Sequence, residues 1–316
     1  MSEVDPRGRG WPASTTSPEP AAAAGDPTFW ERVIAADFDR PTDRRLDDMT
    51  VELVELLGAT DPHLRDEVGL AVLLAWIGRG DYDDLLPGLG DGLTDGLRSG
   101  LGERGTHTVL RRSFSARALA AVIDRDSIRP RVHPETVLAW GDRGLAWLTS
   151  EQDLRDRIPG AGRAHAVAHG ADLVGALARS RHLDEGGLMV LLDAVADRLL
   201  TGTDAVFVGR EEDRLALATM SLLHRDVVDL ALLEPWVRRL SEAWDGCGVG
   251  DEPIPAHLSN TMRFVRALHL QLLLGVHPAN AEAHRYPAPP TVRVDLLAVL
   301  QAALRTTGPF ASRSEA

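Results

Sequence analysis

The chain has 316 residues, a net charge of -13, 44% hydrophobic and 26% charged residues, the balance of a soluble globular protein long enough to bury a core. All 34 basic residues are arginine and Cys247 is the single cysteine. These facts exclude Schiff-base chemistry, a pyridoxal-phosphate anchor, a Walker-type lysine, an internal disulfide and any multi-cysteine metal site, and the acidity argues against a nucleic-acid partner.

Residues 1–26 read as a disordered tail, with Pro6, Pro12, Pro18 and Pro20 among Gly, Ser, Thr and a run of alanines. No long apolar run follows Arg7 and Arg9, so no targeting segment is expected. Leu268 to Val276, interrupted by His269 and Gln271, is too short to cross a membrane. The expected location is the cytoplasm. From 27 to 306 the apolar residues recur at threes and fours, which predicts one all-helical domain, and 307–316 reads as a second tail.

Helices are expected over about 29–38 and 46–57. Another starts at Asp61-Pro62 and stops at Gly78 and Gly80. Leu89, Leu93 and Leu97 mark a segment over 84–100. Further helices are expected over about 107–125, 134–148, 163–181, 186–200, 211–224, 235–245, 257–275 and 291–305. Pro134 and Pro235 each read as a helix start, and Glu211, Glu212 and Asp213 load a first turn with charge that the helix dipole favours. The one short period-two run is Asp204 to Val208. Trp76, Trp140 and Trp147 fall among Leu and Ala and are assigned to the core. Trp30, Trp236 and Trp244 are expected at partly exposed positions. A dozen helices with short connections predict stacked antiparallel helix pairs, an irregular α/α superhelix of the HEAT or armadillo kind.

Three stretches carry chemistry. In the first, Gly162 to Val174, a helical rotation of about 100° per residue puts His165, His169 and Asp172 in one strip on an otherwise small and apolar helix. Two histidines at i and i+4 can share a metal ion, with Asp172 supporting His169 and the third ligand coming from Glu151 or Asp153. The same strip equally suits a metal-free ligand pocket or a buried hydrogen-bond row that sets helix register. The second stretch, Leu148 to Ile158, is expected to be a helical turn. Ser150 and Asp153 are spaced as a capping box, and Glu151 and Arg155 form an exposed i,i+4 pair beside the same cavity. In the third, Arg112 shares a face with Ala116, Leu119 and Ile123 and must find a carboxylate or a bound anion. No Gly-x-Ser-x-Gly elbow occurs, and the Gly-rich runs at 88–92 and 246–250 lack dinucleotide spacing.

Taken in order, Leu64 to Glu67 leading to Trp76 and Ile77, Arg112 to Ser115, Glu151, Asp153 to Arg155, Ala164-His165, Ala168 to Leu173, and Glu212 with Arg214-Leu215 resemble a bacterial family, number 2785 of the domains of unknown function. The resemblance runs over about 60–220. Arg163 stands where that family usually has tryptophan, and Asp156-Arg157 where it usually has glycine and an aromatic. The resemblance implies an all-helical fold and assigns no reaction.

The leading expectation is a helical-array protein that binds a small anionic ligand or a peptide. Its site is a polar pocket of His165, His169 and Asp172, to which Arg112, Glu151, Asp153 and Arg155 contribute. A metal-dependent hydrolase built on His165 and His169 and a protein-binding scaffold are the alternatives. No tightly bound metal is expected, no cofactor is assigned, and neither nucleic acid nor membrane is expected as a partner.

Overall fold

The structure, a computed structural model, describes residues 27–244, 253–276 and 288–307. The expected tails at 1–26 and 307–316 fall outside these residues, apart from Thr307 at a helix end, as does Cys247. Twelve α-helices occur among the described residues. They are α1 (Pro27–Ala35), α2 (Leu46–Leu56), α3 (Ala71–Arg79), α4 (Leu86–Gly96), α5 (Thr108–Ile128), α6 (Pro134–Ser150), α7 (Ala166–Arg179), α8 (Glu185–Leu200), α9 (Glu211–Leu223), α10 (Leu230–Glu242), α11 (Ala256–Leu274) and α12 (Arg293–Thr307). A π-helix, His63–Leu70, runs directly into α3. Strands β1 (Arg157–Ile158) and β2 (Gly162–Arg163) pair antiparallel before α7. No described helix is long and apolar enough to cross a membrane.

The helices from α4 onward alternate between two rows. In one row α5, α7, α9 and α11 are successive neighbours; in the other α4, α6, α8, α10 and α12 follow one another. Within a row the helices are parallel, because their contacts advance together. Ser113 meets His169, Arg117 meets Asp172, and Asp124 meets Arg179. In the other row Trp140 bonds Asp91 and Arg143 bonds Thr94, and further on Trp236 bonds Leu192 and Arg239 bonds Asp197. Consecutive helices change rows and are therefore antiparallel, which is the expected array of stacked pairs.

Small residues set the spacing. Every residue of α7 except Asp172 and Arg179 is buried. A Cβ built on Gly170 would lie 2.5 Å from a methyl of Leu148, and one on Gly144 would lie 2.5 Å from a methyl of Leu173. The buried apolar side chains from Phe29 to Ala303 form one continuous cluster.

Several local expectations are corrected. Residues 204–208 form no strand; Phe207 N–H instead donates to Asn260 Oδ1 at 2.9 Å. Pro235 lies inside α10 rather than at its start, so the turn there lacks one N–H donor. Trp30 and Trp236 are core residues, each pulled inward by an aromatic neighbour, Trp76 and Phe264 respectively. The segment after Ser150 is not a helical turn. Helix α6 ends there because Glu151 is extended and turns its side chain inward.

Candidate functional site

The strip expected on one helix is split by its first residue. The β1–β2 hairpin hands the chain to α7 through His165, which is the residue before the helix and has left-handed backbone (φ 56°). That conformation costs a residue with a Cβ on the order of 1 kcal/mol. Arg210 stands in the same place before α9, with φ 66°. Two neighbouring helices thus start from strained residues at one end of the row.

His165 and His169 still meet, their ring centroids 5.2 Å apart. His169 is buried, and Phe114 of α5 packs edge-on against it at 4.9 Å. The Arg65 guanidinium lies 4.7 Å over the Phe114 ring. Arg65 is fully buried and reaches from the π-helix to donate to the carbonyls of Ala59 (3.0 Å) and Ala161 (2.9 Å). The wider winding of a π-helix is a recurrent feature of functional sites, and here it sets the base of the histidine pair. Ser113 Oγ lies 2.9 Å from His169 Nδ1 and donates to Ala164 O at 2.5 Å. This is not a nucleophile and base: Ser113 is fully buried and its proton is committed to a carbonyl.

Asp172 is turned away from His169. Its carboxylate pairs with Arg214 of α9, whose Nε is at 2.9 Å, and with Arg117 of α5, whose Nε is at 3.4 Å. The expected support of His169 by Asp172 is therefore replaced by a rung of charges across three helices. Seven residues further along each helix, Arg179 pairs with Asp124 and donates to Ser221. The i,i+7 repeat returns to the same face, so the rungs stack along the row.

The other expected site residues are spent on structure. Arg112 and Glu151 form a two-bonded ion pair at 2.6 and 2.9 Å, both buried. Glu151 is thus not the exposed partner of Arg155, and Arg112 is fully buried and bonded to Glu151 and to the Ser99 and Gly100 carbonyls. Asp153 pairs with Arg155 instead and accepts from Gly105 N–H, tying this segment to the loop before α5. With Glu151 and Asp153 so occupied, neither acid offered as a third metal ligand reaches the imidazoles. Among the described residues no group of three His, Cys, Asp or Glu side chains is arranged to hold a metal ion.

Electrostatics disfavour the charged form of both imidazoles. Burial lowers the pKa of His165, with Arg163 and Arg214 adding to the effect and Asp156 opposing it. Burial depresses His169 well below the usual histidine range, helped by the charges of His165, Arg117 and Arg214. Glu211, at the start of α9, is shifted upward by burial. These shifts have opposite consequences. Below about pH 6.5 the unfolded chain protonates its histidines while folded His169 does not. The His169 contribution is therefore complete above that pH and is lost as pH falls through the unfolded value. We expect the unfolding free energy, measured in urea, to drop between pH 7.5 and 5.5, with a smaller drop in His169→Asn. An equal pH slope in the two proteins would contradict this.

Ser113, Phe114, Arg65, Arg117 and Arg214 were not picked out as site residues by sequence reasoning, although all but Arg117 lie inside the motifs that carry the family resemblance. Two parallel rows of helices, with a histidine pair and a shared carboxylate packed among α5, α7 and α9, define the class of protein: an all-α array. The chain belongs to the family described as protein of unknown function (DUF2785), which it matches over residues 97–270. The match starts later and extends further than the 60–220 stretch read from motifs. No curated protein and no solved structure matches the chain.

Proposed function

We propose that this protein is a non-enzymatic binding protein that captures a small anionic ligand at the end of the α5–α7–α9 row, beside His165, His169 and Asp172. The observation that carries the reading is the sharing of one carboxylate, Asp172, by two arginines from neighbouring helices. One negative charge faces two guanidiniums, and both arginines are partly exposed, Arg117 at 32% and Arg214 at 41%. Arginine donors left over from such a pair suit a carboxylate or phosphate group. The neutral imidazoles beside them add no opposing charge. The anion first inferred from Arg112 is thus reassigned to Arg117 and Arg214.

The whole-chain charge supports a small ligand over a nucleic acid. A polyanion is repelled by the -13 surface, whereas one anionic group is held by its nearest arginines. A cytoplasmic location is part of the same proposal.

Thermal unfolding tests it. Millimolar inorganic phosphate should raise the midpoint by several degrees, as expected for a ligand well above its Kd. Arg117→Gln leaves Asp172 its closer partner, Arg214, and should abolish the rise with little change in the ligand-free midpoint. If phosphate, acetate and citrate all leave the wild-type midpoint unchanged, the proposal fails.

A further inference from the structure

The hydrogen-bond accounting around His169 narrows the ligand class. Ser113 Oγ carries one hydrogen, and that hydrogen goes to Ala164 O, which can only accept. The contact between Ser113 Oγ and His169 Nδ1 at 2.9 Å therefore has Nδ1–H as donor. A neutral imidazole has one N–H, so His169 Nε2 holds a lone pair. Protonation of Nε2 is opposed by the burial of the ring and by Arg117 and Arg214. His169 is 7% exposed, and its ring bonds among the described residues go to Ser113, to Oγ from Nδ1 and to the backbone, with no side chain bonded at Nε2. Phe114, held under Arg65, fixes the ring from one side, and His165 stands on another. The result is a fixed acceptor about one helical turn from the level at which Arg117 and Arg214 meet Asp172.

We infer that His169 Nε2 accepts a hydrogen bond from the ligand, and that the ligand is an oxyanion that keeps an O–H group, of the hydrogen-phosphate class. This rests on the anion reading above and adds to it a requirement for a proton on the ligand. Arg117 and Arg214 would take the charged oxygens, and Nε2 would take the O–H. An oxyanion without a hydrogen meets Nε2 lone pair to lone pair. A site built to bond a ligand hydrogen rejects the analogue that lacks it, because the acceptor is then left unmet.

Phosphate and sulfate separate these cases at pH 8, where phosphate retains one proton and sulfate none. Calorimetric titration of the full chain should show phosphate binding roughly ten- to a hundred-fold tighter than sulfate. Methyl phosphate, fully ionised at that pH, distinguishes free phosphate from an ester and should bind like sulfate. His169→Asn keeps an N–H for Ser113 and leaves no acceptor at the Nε2 position, which the shorter side chain does not reach. It should lower phosphate affinity about ten-fold and bring phosphate and sulfate to parity. The wild-type ratio alone is decisive should that variant fold poorly. Equal binding of phosphate and sulfate, or of phosphate and methyl phosphate, would overturn the acceptor role and leave the anion site standing. Binding of none of the three would overturn both.

Discussion

Replacing Arg112 with methionine is expected to lower the unfolding free energy by about 3–5 kcal/mol. Methionine keeps most of the buried volume, so the loss is electrostatic. Arg112 bonds Glu151 through Nε and one terminal nitrogen, and its other terminal nitrogen donates to Ser99 O (2.7 Å) and Gly100 O (2.9 Å). Without it the cation left beside buried Glu151 is Arg198, which bonds the Glu151 backbone carbonyl at 2.7 Å rather than the carboxylate. Two donors still point at Glu151, the Trp147 indole N–H and the Asp153 backbone N–H, both at 2.9 Å. The compensating change is Glu151→Gln, which removes the charge and keeps an acceptor for one of these two donors. Arg112→Met/Glu151→Gln should recover a substantial part of the loss, because removing both charges avoids the uncompensated one. Urea unfolding at pH 7 measures all three variants. A loss below about 1 kcal/mol in Arg112→Met would show that the pair contributes no more than an exposed one.

Trp140→Ala should cost about 3–5 kcal/mol, the usual range for emptying the space of a buried tryptophan. Trp140 is fully buried on α6, and its indole N–H donates to Asp91 Oδ1 of α4 at 2.8 Å. The ring lies flat enough on α4 that a Cβ on Gly90 would sit 2.2 Å from its Cζ2. Two effects then compete in Gly90→Ala. Helix propensity favours alanine by about 1 kcal/mol, whereas overpacking against a rigid ring costs about 1–3 kcal/mol. The clash is expected to win, so Gly90→Ala destabilises the wild-type protein. With Trp140 already cut to alanine the clash is gone, and the same change should be neutral or stabilising. The reversal of sign is read from a double-mutant cycle in urea. If Gly90→Ala stabilises the wild type, α4 can withdraw from the ring and the α4–α6 spacing within the row is soft.

The array was legible in the sequence because its signals are local. The apolar period, a proline at position 134, the acidic turn from Glu211 and the stop at Gly80 each act within a few residues, and the last three mark observed helix ends. The burial of Trp76, Trp140 and Trp147 followed from the same period. Partner choice was not legible. Arg112 clearly needed a carboxylate, but nothing within one turn says whether Glu151, Asp153 or Asp172 supplies it. That depends on how α5 is set against the end of α6, 39 residues further along the chain. Asp172 looked like a companion of His169 because both lie on α7. The structure turns it to Arg117 and Arg214 because the neighbouring helices are parallel and in step, which brings a guanidinium from each side to its level. His165 looked helical because its neighbours are small and apolar, yet the β1–β2 hairpin delivers it in left-handed backbone. The sequence by itself determined that the chain folds as paired helices and that Arg112 and His169 fall on faces turned inward. Only the packing of parallel rows decided which polar groups pair with one another and which keep a free donor or acceptor, since that is a matter of distance between segments and not of periodicity within one.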